Sequence, residues 1–187
     1  IDCGGGFKVA YKEGDPRTDI QEVGEKVSEA FQQFCEKYGK QLELWLEPGK
    51  FLVSESGYLL VKTNVVKKTP SITFAGVDSG LNHLLRPMLY DAYHDVYNLS
   101  NPDGNTHTYN FVGYICETDT IASDRELSEV REGDILVIKN AGAYGFSMAS
   151  NYNSRLRPAE VLVWEGKSHL IRTRETIEDL TRNQVVI

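Results

Sequence analysis

Residues 18–49 read TDIQEVGEKVSEAFQQFCEKYGKQLELWLEPG, and this stretch decides the fold. Ile20, Val23, Val27, Ala30, Phe31, Phe34 and Tyr38 step by three or four, the helical period. Thr18 or Asp19 stands where an N-cap belongs. Gly39 stands where a left-handed C-terminal cap belongs. Leu42, Leu44 and Leu46 then alternate in period two, with Trp45 among them, and Glu47-Pro48-Gly49 ends the run. Upstream, residues 1–4 read as the end of a strand entering Gly4-Gly5-Gly6. Strand, helix and strand in this order form a βαβ unit of the kind used in α/β barrels.

After Lys50 the pattern changes. Phe51–Val53, Tyr58–Lys68, Ser71–Val77, Tyr109–Cys116, Asp134–Lys139 and Glu160–Glu165 are rich in Val, Ile, Leu, Tyr or Phe and bounded by turn residues, so they predict strands. One short helix is predicted near Leu84–Ala92. The expected division is residues 1–50 as the last part of an α/β barrel and residues 51–187 as a mostly β domain, a closed barrel or a sandwich. A (β/α)8 barrel needs about 250 residues, so residues 1–50 supply only its last units. Alone they leave an open sheet edge and an uncovered apolar face.

Composition narrows the partners. The 187 residues carry a formal charge of −7, and the longest basic cluster is Lys67-Lys68, which argues against nucleic acid. Cys3, Cys35 and Cys116 have no paired spacing, which fits a reducing compartment better than a disulfide framework. No apolar run approaches the roughly 20 residues of a membrane span, and no signal peptide opens the chain; the expectation is a cytoplasmic protein without membrane or nucleic-acid partners. Asn98-Leu99-Ser100 is a formal glycosylation sequon with nothing else to support secretion. The start at Ile1, directly on a motif, is the start expected of a piece of a longer protein.

Several motifs carry possible chemistry, each with a structural alternative. Gly4-Gly5-Gly6 after a strand end lets backbone N–H groups cradle a phosphate; it also suits a plain tight turn. Glu47-Pro48-Gly49-Lys50 ends a barrel strand, where catalytic residues of such barrels lie; a surface turn is the alternative. Arg86 and Tyr90 lie four apart, on one face of a helix; an exposed arginine on an amphipathic helix reads the same. Cys116 ends a strand beside Glu117, and a lone cysteine there is often a small buried hydrophobe. Tyr144, among Gly142, Ala143 and Gly145, suits a flat ligand or a packed loop. His83, His94, His107 and His169 show no metal-ligand spacing, and His94 reads equally as a helix-end residue or a functional one.

In this order, Asp2-Cys3-Gly4-Gly5-Gly6, Glu47-Pro48-Gly49, Arg86-Pro87-Met88-Leu89-Tyr90-Asp91-Ala92-Tyr93-His94, Cys116-Glu117 and Gly142-Ala143-Tyr144-Gly145-Phe146 resemble the second half of the fold-type III decarboxylases that use pyridoxal phosphate. Within that family the likeness is greatest to diaminopimelate decarboxylases, and it spans essentially the whole chain.

The resemblance implies roles residue by residue. Gly4, Gly5 and Gly6 hold the cofactor phosphate, Glu47 bonds the pyridine nitrogen and Tyr144 contacts the cofactor. Arg86 and Tyr90 bind the substrate carboxylate far from the reacting carbon, and Glu117 binds the distal ammonium. Cys116 is the proton donor, suited by a thiol pKa near 8.5 that surroundings tune easily. Lys50 stands where arginine is commoner; it keeps the charge without the bidentate fork, so its role among substrate, phosphate or neither stays open. Cys116-Glu117-Thr118-Asp119 departs from the common Cys-Glu-Ser-Gly-Asp, which weakens any role for Asp119. Arg157-Pro158-Ala159-Glu160-Val161 completes the pattern and reads as structural.

What the family implies further is a homodimer with active sites at the interface, where the cysteine, glutamate and tyrosine reach the opposite subunit's barrel. The implied reaction converts meso-2,6-diaminopimelate to L-lysine and CO2, in lysine biosynthesis. The lysine that carries the cofactor lies outside this sequence, so the piece alone is expected to be inactive. Alternatives are a decarboxylase of ornithine, arginine or carboxynorspermidine on the same fold, a non-catalytic relative that regulates an active enzyme, or an isolated β-domain interaction module.

Overall fold

A computed structural model describes residues 1–185. Helix α1 (Ile20–Tyr38) starts where Asp19 Oδ1 accepts from the N–H groups of Gln21 and Glu22, each at 3.0 Å. It stops at Gly39, whose left-handed φ of 76° lets its N–H donate to the Cys35 carbonyl. The chain then returns alongside its own beginning. Trp45 N–H donates to the Ile1 carbonyl at 2.8 Å, Cys3 N–H to Trp45 at 3.0 Å, and Glu47 N–H to Gly4 at 2.7 Å. Asp2 and Trp45 are thereby paired in parallel, with α1 as the crossover. The Leu42–Leu46 run forms this one bridge rather than an extended strand.

The apolar face of this unit is largely bare. Cys35 is buried in α1, whereas Phe34, Tyr38 and Trp45 are 43%, 59% and 62% exposed. Phe31, Phe34 and Tyr38 stack on one another instead, with centroids 6.4 and 5.6 Å apart.

The strand expected at Phe51–Val53 is a helix. Pro48 has the φ suited to a helix start, and α2 (Gly49–Val53) follows it. Three apolar residues are too few for their periodicity to separate strand from helix.

Six strands form one sheet: β1 (Leu59–Lys68), β2 (Thr73–Val77), β3 (Val96–Asn98), β4 (Thr106–Val112), β5 (Thr120–Ser128) and β6 (Ile135–Ile138). Their order is β3-β6-β1-β2-β4-β5, antiparallel except for the parallel β2–β4 pair. The sheet curls until its edges nearly meet, and Arg125 of β5 donates through Nε to the carbonyl of His94, just before β3. The interior is a barrel-like core of Val61, Ala75, Val77, Leu84, Phe111, Ile121, Leu136 and Ile138. The short helix α3 (Arg86–Tyr90) lies in the long connection before β3. Strand β4 ends at Val112, short of the expected Cys116, because the chain bends over residues 114–117.

A separate hairpin pairs β7 (Glu160–Trp164) with β8 (Lys167–Arg172). Its turn residues Glu165 and Gly166 both have positive φ, which matches the twist of a two-residue hairpin. Helix α4 (Ile177–Thr181) follows behind a Thr176–Asp179 capping box. No helix among the described residues is long and apolar enough to cross a membrane. The sequon residue Asn98 is buried, its amide donating to Glu129 and Asp134, so it works as an internal strut.

Candidate functional site

The glycine turn is set by its contact with the Glu47 strand end. A Cβ on Gly5 would stand 2.3 Å from the Glu47 carbonyl oxygen, so only glycine allows this approach. The N–H groups of Gly5 and Gly6 meet no protein acceptor among the described residues. Tyr144 lies beside the following Glu47-Pro48-Gly49 turn, its hydroxyl 3.8 Å from where a Cβ on Gly49 would be. Ala141 and Gly142 fasten the Tyr144 loop by donating to Gly57 and Ser54 at 2.8 and 3.1 Å. Tyr144 is therefore placed beside the Glu47-Pro48-Gly49 turn of its own chain. Glu47 itself is exposed. Unengaged N–H donors, a carboxylate and a phenol hydroxyl gathered at two adjoining turns suit a flat, phosphate-bearing heterocycle.

A second group gathers around Tyr11. Arg86 opens α3 and is buried; its Nη1 donates to His94 Nε2 at 3.1 Å. His94 Nδ1 donates in turn to the Lys139 carbonyl at 2.8 Å, which fixes the tautomer. The Tyr11 ring centroid lies 5.1 Å from the Arg86 guanidinium, 6.0 Å from Lys50 Nζ and 5.8 Å from the His94 ring. Burial pulls the His94 pKa down to about 4, aided by the Arg86 and Arg125 charges and opposed by the bond to Lys139. Its imidazole is neutral at ordinary pH. Tyr90, expected on the Arg86 face, is 61% exposed. No hydrogen bond or cation–π contact joins the two among the described residues.

The third group is the turn carrying Cys116 and Glu117. Buried Asp119 ties it down, accepting from Leu81 N–H at 2.7 Å and Ile115 N–H at 3.0 Å. A Cβ on Gly113 would come within 2.0 Å of that carboxylate. Desolvation raises the Asp119 pKa, with the two backbone bonds opposing. Asp119 is thus the internal brace of the turn. Cys116 and Glu117 are exposed on top of it. The thiol lies 3.5 Å from Glu117 Oε2, and Asn153 Nδ2 donates to its sulfur at 3.8 Å. The Tyr152 hydroxyl donates to Glu117 Oε1, and that bond is the main reason the Glu117 pKa is lowered.

Four supporting residues were not legible as such: Tyr11, Tyr152, Asn153 and Asp119. Tyr152 and Asn153 stand against the cysteine turn, where Asn153 takes a left-handed φ of 54°. An open cleft of about 500 Å³ between α3 and β5 is lined by Met88, Tyr93, Thr118 and Arg125, among others, and by none of the expected site residues. No group of His, Cys, Asp or Glu among the described residues is arranged to hold a metal ion. The glycine–glutamate group and the cysteine turn share no hydrogen bond among the described residues.

Comparison with known proteins fits this geometry. The family model for the pyridoxal-dependent decarboxylase pyridoxal binding domain matches residues 1–54. That for the C-terminal sheet domain matches residues 32–142. The diaminopimelate decarboxylase of Methanothermobacter thermautotrophicus is 45% identical over 100% of this chain and 44% of its own length. That of Neisseria meningitidis serogroup B is 43% identical over 99% of this chain and 43% of its own. The crystal structure of diaminopimelate decarboxylase from M. jannaschii in co-complex with L-lysine superposes with a TM-score of 0.91 at 35% identity, covering 100% of this chain and 43% of that one. This chain therefore spans less than half the length of these relatives. The sheet-domain match covers more than half of the chain, and with the relatives' identity it establishes that the chain belongs to the pyridoxal-dependent decarboxylase family.

Proposed function

We propose that the complete protein converts meso-2,6-diaminopimelate to L-lysine and CO2, and that this chain supplies the cofactor cradle, the distal grips and the proton donor. The observation that carries the reading is the pairing of a braced Glu117 beside Cys116 with a buried Arg86. The far end of diaminopimelate bears an ammonium and a carboxylate, and these two groups answer them.

Pyridoxal phosphate, when bound, supplies the electron sink that makes loss of CO2 feasible. The free N–H groups of Gly5 and Gly6 and the Tyr144 hydroxyl suit its phosphate and ring, and Glu47 suits the pyridine nitrogen, whose proton a carboxylate retains. Arg86, with Tyr90 four residues on and Lys50 near the same Tyr11 ring, takes the distal carboxylate. Glu117, kept anionic by the Tyr152 hydroxyl, takes the distal ammonium. Cys116 Sγ gives its proton to the carbon that CO2 has left, and Asn153 Nδ2–H then faces the resulting thiolate.

The remaining architecture belongs to the same proposal. Residues 1–50 form the last βαβ part of a (β/α)8 barrel, and residues 51–187 form the β domain. The lysine that carries the cofactor belongs to the part of the relatives' length that this chain does not span. A homodimer brings Cys116 and Glu117 of one subunit to the Gly4–Gly6 and Glu47 group of the other. Such an enzyme works in the cytoplasm.

The test is Glu117→Asp in the complete protein. Withdrawing the carboxylate by one methylene lowers kcat/KM for diaminopimelate tenfold or more, about 1.4 kcal/mol, and more than for any other accepted amino acid. Equal losses on all substrates, or no turnover of diaminopimelate by the wild type, overturn the reading.

A further inference from the structure

Arg86 poses a problem that the family resemblance leaves unsolved. Its side chain is buried, yet no carboxylate lies within ion-pair distance of it among the described residues. Burying an unpaired guanidinium is costly. The groups in contact with it are neutral: the Nε2 of His94 and the ring of Tyr11. His94 is itself fully buried and spends its only N–H on the Lys139 carbonyl, so Nε2 is free to accept and the ring carries no charge. Burial pulling its pKa to about 4 agrees with that assignment. A carboxylate at position 94 would hold the guanidinium more tightly and neutralise it. A neutral imidazole holds it and leaves its charge uncompensated.

We propose that His94 is a positioning residue that fixes Arg86 while leaving its positive charge unspent for a substrate carboxylate, with Tyr11 as the aromatic face that sets Arg86 and Lys50 around the same point. The inference rests on the reading of Arg86 as the distal-carboxylate grip. It gives Lys50 a place as well, since its ammonium lies over the same ring, 6.0 Å from the centroid. The Tyr11 hydroxyl is buried without a partner, so the ring and not the hydroxyl does the positioning.

The experiment compares L-lysine with 1,5-diaminopentane, which differ by one carboxylate, as ligands of the complete holoenzyme, measured by calorimetry. Wild type binds L-lysine at least tenfold more tightly. His94→Glu erases that preference tenfold or more while binding of the diamine and retention of cofactor stay unchanged. His94→Gln, a neutral acceptor of similar reach, keeps the preference within threefold. Tyr11→Phe also keeps it, and Tyr11→Leu lowers it. A preference in His94→Glu within threefold of wild type overturns the proposal. No preference in the wild type overturns the Arg86 reading on which it rests, a distinct failure. Should the variants not fold, nitrogen-15 NMR of the wild type decides at neutral pH: Nδ1-protonated neutral His94 supports the proposal, and the Nε2-protonated or charged form overturns it.

Discussion

Asp119→Ala is a sharp probe of how the cysteine turn is built. The substitution removes hydrogen bonds of 2.7 and 3.0 Å from the N–H groups of Leu81 and Ile115, both in buried residues. Bonds to a charged acceptor contribute about 1.5–3 kcal/mol each. The desolvation that raises the Asp119 pKa offsets part of the sum, which leaves a net loss of about 3 kcal/mol. Asp119→Asn keeps the shape but can accept only one of the two bonds, so about half that loss is expected. Urea unfolding of the complete protein reads both, provided the m-value is unchanged. The same variants loosen the turn beneath Cys116, so its reaction with a thiol reagent quickens several-fold under native conditions. A stability change below about 0.5 kcal/mol with unchanged thiol reactivity would refute the view of Asp119 as the brace.

Two further predictions concern the site and its surroundings. Cys116→Ala in the complete protein slows turnover by about 100-fold or more while cofactor content, read from absorbance, stays near wild type; wild-type turnover would remove the proton-donor role. The His94 pKa, lowered from 6.5 to about 4, means the unfolded chain binds the extra proton in that window. Stability is therefore full above pH 6.5 and falls by about 3 kcal/mol as the pH drops to about 4. Protonation there would set an imidazolium against the Arg86 and Arg125 charges while Tyr11 and the Lys139 carbonyl enclose it. The stability difference between wild type and His94→Gln, followed over that range, should carry the slope; a flat difference contradicts it.

What sequence made legible was local. Asp19 and Gly39 announced the ends of α1 because caps act over two to four residues. The Arg86–His94 run, Cys116-Glu117 and the Tyr144 loop were legible as motifs. Their support was not, because it comes from far along the chain: Tyr11 reaches Arg86 and His94 across the fold, and Tyr152 reaches back to Glu117. Strand β5 escaped because Ser123-Asp124-Arg125-Glu126 breaks its alternation, and β3 and β8 are short or polar. Phe51–Val53 read as strand for want of length, and Pro48 tipped it into a helix. The bare apolar face of α1 was legible from its period, since residues 1–50 offer too little to cover it.

The most direct test is CO2 release by the complete protein with pyridoxal phosphate, comparing meso-diaminopimelate with ornithine, arginine and carboxynorspermidine. The expected result is a preference for diaminopimelate of tenfold or more in kcat/KM, about 1.4 kcal/mol of differential transition-state binding. A preference for one of the other substrates, or cofactor binding without turnover of any, would contradict it.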